Sequence, residues 1–231
     1  MSNLLVADLG TLPYAAALDL QRAVARARIS GAIDEDVLLL VEHPPVITLG
    51  RSSKARHLLA SPASLAERGV ELFEVERGGD VTFHGPGQLV GYPIVDLKRH
   101  KRDLHWYLRQ VEEALICAVR PLGIVAERSI GQTGVWTRGR KLASIGVHAR
   151  DWVTWHGFAL NVTTDLSYFD LMIPCGIADV AMTSIAKELG SVEQLGVRTR
   201  RHVLDGFAAV FGLEARTILP AELARLAMSV A

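Results

Sequence analysis

Asp36-Val37-Leu38-Leu39-Leu40-Val41-Glu42 is a short, continuous apolar run with an acidic residue at each end. Its length and the lack of alternation read as a β-strand buried on both faces, inside a sheet covered on either side. His43-Pro44-Pro45 breaks the run, and Val46 to Gly50 follows as another strand. Upstream, Pro13 opens a helix through about Arg28, with Tyr14, Leu18, Gln21 and Ala25 along one side and Gly31 beyond its end. Downstream, Asp103 is a plausible N-cap for a helix in which Leu104, Leu108, Val111, Leu115 and Ala118 or Val119 recur at helical spacing. Pro121 and Gly123 stop it. Between 133 and 162 the pattern changes to short strands. Val135-Trp136 and Leu142 to His148 read as neighbours, and Arg150-Asp151 turns the chain into Trp152–Asn161 as a hairpin. The C-terminal third returns to helix, with Val203, Leu204, Phe207, Val210 and Phe211 on one face, and Pro220 sits in the first turn of a last short helix. This order argues α/β (α+β), a mixed β-sheet flanked by helices. With no linker-like stretch and no repeat, one domain spanning 1–231 is expected.

Composition narrows the function classes. A chain of 231 residues with 49% hydrophobic and 22% charged residues has the makeup of a folded globular protein, which excludes a disordered one. Lys plus Arg number 25 and Asp plus Glu 25, so no broad basic field exists to hold nucleic acid. Two cysteines cannot form a disulfide scaffold in a chain this long. No run of about 18 apolar residues is present, and MSNLLVADLG lacks the basic start and apolar core of a signal peptide. The expectation is a cytoplasmic protein with reduced thiols and no membrane partner.

The most unusual stretch is Arg77 to Pro93, RGGDVTFHGPGQLVGYP, with glycines at 78, 79, 85, 87 and 91. Glycine this dense lets backbone approach a ligand and present N–H groups to it. It matches neither a Walker loop nor a dinucleotide fingerprint. The competing reading is a set of tight hairpin turns between strands, and composition alone does not separate the two.

The thiols differ in setting. Cys117 lies inside the long helix as a small hydrophobe. Cys175 sits in Ile173-Pro174-Cys175-Gly176-Ile177, where proline stiffens and glycine frees the backbone, as suits a nucleophile on a sharp turn; a buried packing role is the alternative. An unperturbed thiol, with a pKa of about 8.5, is only about 3% thiolate at pH 7. A cation about 4 Å away at an effective dielectric near 20 contributes roughly 4 kcal/mol, up to about three pKa units. Lys141 is a candidate because it begins the otherwise small and apolar Lys141–Val147. His84, His148 and His156 are others, and spacing does not choose among them.

At this point the residues match a family. Arg77 to Pro93, Gly134-Val135-Trp136, Lys141 to Gly146, His156 to Asn161 and Ile173 to Gly176 resemble, in order, the motifs of the lipoyl(octanoyl) transferases, over about His43 to Ser184. The resemblance implies the fold of the biotin and lipoate protein ligases. It implies transfer of an octanoyl group from octanoyl-acyl carrier protein to a specific lysine of lipoyl domains through an acyl-cysteine, the first step of endogenous protein lipoylation. The acceptors would be the lipoyl domains of 2-oxoacid dehydrogenase complexes and the glycine cleavage H protein, with no cofactor and no metal. By position, Cys175 corresponds to the nucleophile and Lys141 to the residue that lowers its pKa. Arg77, Gly78, Gly79, Asp80, Val81, Thr82, Phe83 and His84 resemble the acyl-binding loop. Ser144, Ile145 and Gly146, with Gly157, Phe158 and Ala159, resemble two further wall segments. Two departures stand out: Phe83 where the family often has tyrosine, and Asp80 where glutamine is common.

Both implied protein substrates are typically acidic. Lys98-Arg99-His100-Lys101-Arg102 and Arg198 to His202 are basic clusters, and at least one is expected to dock the acyl carrier protein. The rival readings are an ATP-dependent lipoate or biotin protein ligase, a thiol hydrolase using Cys175 with a histidine, and a non-catalytic carrier-binding module. Cys175 after Pro174 argues against the ligase, which needs no cysteine nucleophile.

Overall fold

The apolar run at 36–42 forms a strand, and both of its faces are covered. The computed structural model describes residues 3–174 and 180–228. In chain order these form β1 (Asn3–Thr11), α1 (Tyr14–Ser30), β2 (Asp36–Glu42), β3 (Val46–Leu49), α2 (Pro62–Glu67), β4 (Glu71–Glu74), β5 (Val81–His84), β6 (Gln88–Ile94), α3 (Leu104–Val119), β7 (Glu127–Ser129) and β8 (Gln132–Thr137). There follow β9 (Arg140–Arg150), β10 (Val153–Asn161), α4 (Ile185–Leu189), α5 (Leu195–Phe211), β11 (Glu214–Thr217) and α6 (Pro220–Met228).

A mixed eight-stranded sheet has the order β11-β1-β2-β6-β10-β9-β8-β7. β1 is parallel to both its neighbours, and every later pair is antiparallel. β2 explains the two layers of cover. Leu38 and Leu40 pack with Val111 and Leu115 of α3 and Val203 and Phe207 of α5. Val37, Leu39 and Val41 face Ala17, Val24 and Ala25 of α1 and Leu223 and Ala227 of α6. A second sheet, β4-β3-β5, has a smaller core in which Ile47, Val81 and Phe83 meet Phe169 and Leu171.

Several elements depart from the sequence reading. β1, β4 and β11 were not anticipated; β1 is short of turn signals, and Leu4/Val6 and Leu5/Ala7 divide between the two cores. In α3, Leu104 is exposed and Tyr107 takes the core position one turn before Val111. The glycine-rich stretch does not close a hairpin. β5 belongs to the small sheet and β6 to the large one, so Gly85-Pro86-Gly87 carries the chain between sheets. The β9–β10 hairpin does form. It turns through Asp151 and Trp152, with φ of 51° and 66°, the left-handed pair that matches the twist of the flanking strands.

Candidate active site

Residues of both sheets line a cavity of about 310 Å3. One wall is the β9–β10 ladder, where Ser144, Ile145 and Gly146 stand directly opposite Ala159, Phe158 and Gly157. Two motifs separated in sequence are therefore a single patch of sheet. The patch needs glycine: a Cβ on Gly157 would stand 2.2 Å from the Gly91 carbonyl oxygen, and one on Gly146 2.7 Å from that of Gly78. The Phe158 ring covers Gly91, where a Cβ would lie 2.1 Å from Cζ.

The loop before β5, with β5 itself, supplies another wall. Arg77, Gly79, Asp80, Val81, Thr82 and His84 line the cavity. Gly78 and Phe83 do not. The Gly78 N–H donates to the Val147 carbonyl at 2.8 Å, tying the loop to β9. Phe83 turns away into the small core, stacked on Tyr168 with ring centroids 4.5 Å apart and edge-on to Phe169. The Arg77 guanidinium is buried and donates to the Thr48 carbonyl at 2.7 Å and to its hydroxyl at 2.9 Å. The Asp80 carboxylate meets a residue that the sequence reading passed over, His57.

Tyr14 and Tyr92, also unanticipated, close one end of the cavity beside His84 and His156. Here hydrogen bonds set the tautomers. His43 Nδ1 faces the Leu12 carbonyl at 2.7 Å, which can only accept, so Nδ1 carries the proton and Nε2 accepts from the Tyr92 hydroxyl at 2.8 Å. The Gln88 amide donates to the Phe83 carbonyl and to Asn161 Oδ1, which leaves its oxygen to accept from His84 Nδ1 at 2.9 Å. Burial pushes the His43 ring down to about 4. Burial, helped by the neighbouring His43, pushes His84 to about 3. Both rings are neutral at working pH. His156 lines the cavity with a left-handed φ of 56°, its N–H donated to Gln21 Oε1 at 3.0 Å. Its ring faces Glu76 at 3.8 Å and, with Arg22 and Trp155, holds that carboxyl well below the usual carboxylate range. His148 packs on Trp155 instead and is absent from the lining.

Lys141 is 1% exposed, and its Nζ lies 5.3 Å from the centre of the Trp136 ring, within cation–π range. A register shift in the β8–β9 ladder, Val135 opposite Ala143 but Trp136 opposite Lys141, leaves Leu142 as the extra residue of a bulge. Such a bulge re-aims side chains. Gly134 makes room: a Cβ there would stand 2.9 Å from Lys141 Cε. The Gly134 N–H is held at 3.0 Å by Glu112, a fully buried α3 carboxylate that also pairs with Arg109 and Arg128. Lys141 holds the returning chain by its backbone, its N–H donating to the Ala181 carbonyl and its carbonyl accepting from the Thr183 N–H. Cys175 and Gly176 lie outside the described residues. Cys117 is half-buried, and burial and Glu113 push its thiol up, away from a reactive thiolate.

Residues 98–101 of the first expected docking cluster pair with carboxylates, as does one arginine of the second. Lys98 pairs with Asp96, Arg99 with Asp34, His100 with Asp36 and Lys101 with Asp103. Arg200 bridges Asp8 and Glu42. Acidic neighbours that are distant in sequence, such as Asp34 and Asp36, were invisible to a reading of charge runs. Among the described residues no helix is long and apolar enough to cross a membrane.

Residues 13–205 match the model of the lipoyl protein ligase A/B catalytic domain. An octanoyltransferase of Nostoc sp. is 46% identical over 213 residues, covering 92% of this chain and 94% of the relative. One of Solibacter usitatus is 49% identical over 217 residues, covering 93% and 96%. Among solved structures, a lipoate-protein ligase A bound with ATP superposes with a TM-score of 0.76 at 16% identity, covering 99% of this chain and 93% of that one. A bi-partite lipoate protein ligase from Thermoplasma acidophilum gives 0.74 at 17% identity, covering 99% and 91%, a likeness that speaks to the fold. The ordered motifs, the glycine-walled cavity and the extent of these matches lead to one assignment: the chain belongs to the lipoyl protein ligase A/B catalytic-domain family and, within it, to the octanoyltransferases.

Proposed function

We propose that this acyltransferase, acting as a single catalytic domain, takes an octanoyl group from octanoyl-acyl carrier protein onto Cys175 and passes it to a specific lysine of a lipoyl domain. The acceptors are the lipoyl domains of 2-oxoacid dehydrogenase complexes and the glycine cleavage H protein. In the first step the Cys175 thiolate attacks the thioester carbonyl; a new C–S bond forms, and the carrier's thiolate leaves and takes up a proton. In the second, the neutral amine of the acceptor lysine attacks the acyl-cysteine. The C–N bond forms, the C–S bond breaks, the amine's proton departs and the thiolate returns. Thioester exchange is nearly isoenergetic and amide formation is downhill, so neither step calls for ATP.

The observation that carries this reading is Lys141, an almost fully buried lysine side chain in the wall of the cavity. A lysine side chain in the cavity wall supports a thiolate nucleophile there, because a neighbouring cation lowers a thiol's pKa. The β9–β10 wall and the loop 77–84 support the acyl site, with each buried CH2 contributing about 0.8 kcal/mol.

Intact-mass spectrometry after mixing with octanoyl-acyl carrier protein, without ATP, tests the reading. An octanoyl adduct is expected in wild type and Cys117→Ala and absent in Cys175→Ala. An unmodified wild type, or an adduct that survives in Cys175→Ala, overturns it. In Lys141→Met the thiol returns toward a pKa of about 8.5 and about 3% thiolate at pH 7, so alkylation of Cys175 by iodoacetamide slows by up to about 30-fold.

A further inference from the structure

Asp80 departs from the glutamine common at its position, and the charge it adds is engaged. Its Oδ2 lies 2.6 Å from His57 Nδ1, and its Oδ1 accepts the Val81 N–H at 2.7 Å. Both side chains are buried, His57 at 7% exposure and Asp80 at 8%. The carboxylate can only accept, so Nδ1 carries the proton.

The pair joins three segments. Asp80 belongs to the loop that lines the cavity. The chain from Gly50 to Ser52 is laced to that loop by backbone bonds, Arg51 N–H to the Arg77 carbonyl and Ser52 N–H to the Gly79 carbonyl, both 3.0 Å. His57 ends the same excursion, and its own carbonyl accepts the Ile173 N–H at 2.8 Å. Leu59 and Ala60 both donate to the Leu171 carbonyl, and Leu58 bridges Met172. His57 thus touches the cavity loop through its side chain and, through its backbone, the segment that runs into Pro174 and Cys175.

We propose that His57 and Asp80 form a positioning pair that holds the cavity loop and the 171–173 segment in one relative placement for acyl transfer. The proposal rests on the transferase reading above. Neither residue is assigned a proton-transfer step. Their effect runs through the geometry of the groups they hold, where a displacement of about 1 Å can cost about 100-fold in rate.

The test uses the full chain and compares His57→Leu, Asp80→Ala, His57→Asn and His57→Gln with wild type. Two quantities are measured: octanoyl loading at saturating and sub-saturating octanoyl-acyl carrier protein, and amide hydrogen exchange in peptides covering 166–174. In His57→Leu and Asp80→Ala the saturating loading rate should fall about 10-fold or more, and in His57→Leu, whose residue lies outside the cavity lining, the half-saturating donor concentration should stay within about twofold. Exchange at 166–174 should rise, with β2 and β6 peptides unchanged. His57→Asn places an N–H where Nδ1 stood and should load within about threefold of wild type; His57→Gln, which mimics Nε2, should not. Wild-type loading by folded His57→Leu overturns the proposal, as does equal loading by the Asn and Gln variants; the latter comparison decides even where the Leu variant fails to fold. A wild type that never loads octanoyl defeats the transferase reading instead, and the exchange comparison still judges the pair.

Discussion

Acidification should unfold this protein early, and the paired rings of His43 and His84 set the scale. Both are neutral in the fold, with burial holding one at about 4 and the other at about 3. In the unfolded chain each titrates at about 6.5. Between these values the unfolded state binds more protons than the native one, so stability rises with pH and is lost as pH falls below about 6.5. From pH 7.5 to 5 each ring contributes a loss of about 2 kcal/mol, roughly 4 kcal/mol together. For a chain of this size that corresponds to a drop in Tm of about 10 °C. His156, also pushed down by burial, acts in the same direction. The assay is urea unfolding at 25 °C across this pH range, on wild type and His43→Gln. The variant should lose about 2 kcal/mol less over this range, since one proton no longer distinguishes the two states. A wild-type stability that is flat between pH 7.5 and 5, or identical slopes in the two proteins, refutes the reasoning.

Two substitutions probe the packing around the site. Gly134 has φ of 141°, and an added Cβ would lie 2.7 Å from the Ala143 carbonyl oxygen and 2.9 Å from Lys141 Cε. Gly134→Ala should therefore cost about 1–3 kcal/mol of stability in thermal unfolding, and the folded fraction should load octanoyl at least about 10-fold more slowly as Lys141 is displaced. Phe83→Tyr, which adds a hydroxyl to the ring, should destabilise by about 1–3 kcal/mol. The Phe83 Cζ lies against Gly85, where a Cβ would be 2.4 Å away, and the new hydroxyl would enter an apolar core. A Tm equal to wild type for Phe83→Tyr would show that this core can open to admit it.

Much of the architecture was legible because burial leaves a mark on local composition. Val37 to Val41 is apolar at every position, and it lies between two helical layers. Tyr14, Leu18, Gln21 and Ala25 share the buried side of α1. Of the elements missed, β4 and β11 are four residues long and owe their form to partners distant in sequence: β11 is wholly exposed and exists by pairing with β1. Local chemistry likewise said that Gly85 to Gly87 turns, but not that the turn joins two sheets.

For the site, the sequence alone determined the inventory: a dense glycine loop, a lysine on a small-residue strand, two unequal thiols, and their order along the chain. Motif chemistry is local and survives in one dimension. Only the tertiary structure decided which residues face each other. It set Ser144 to Gly146 against Ala159 to Gly157, turned Phe83 out of the cavity, removed His148 from the candidate cations of its wall, and buried Lys141 behind Gly134 and Glu112. It also matched the basic run at 98–101 with carboxylates and gave Asp80 a partner in His57. Apart from the local pairs Lys98–Asp96 and Lys101–Asp103, these pairings join residues distant in sequence, and register and packing, rather than the order of residues, choose them.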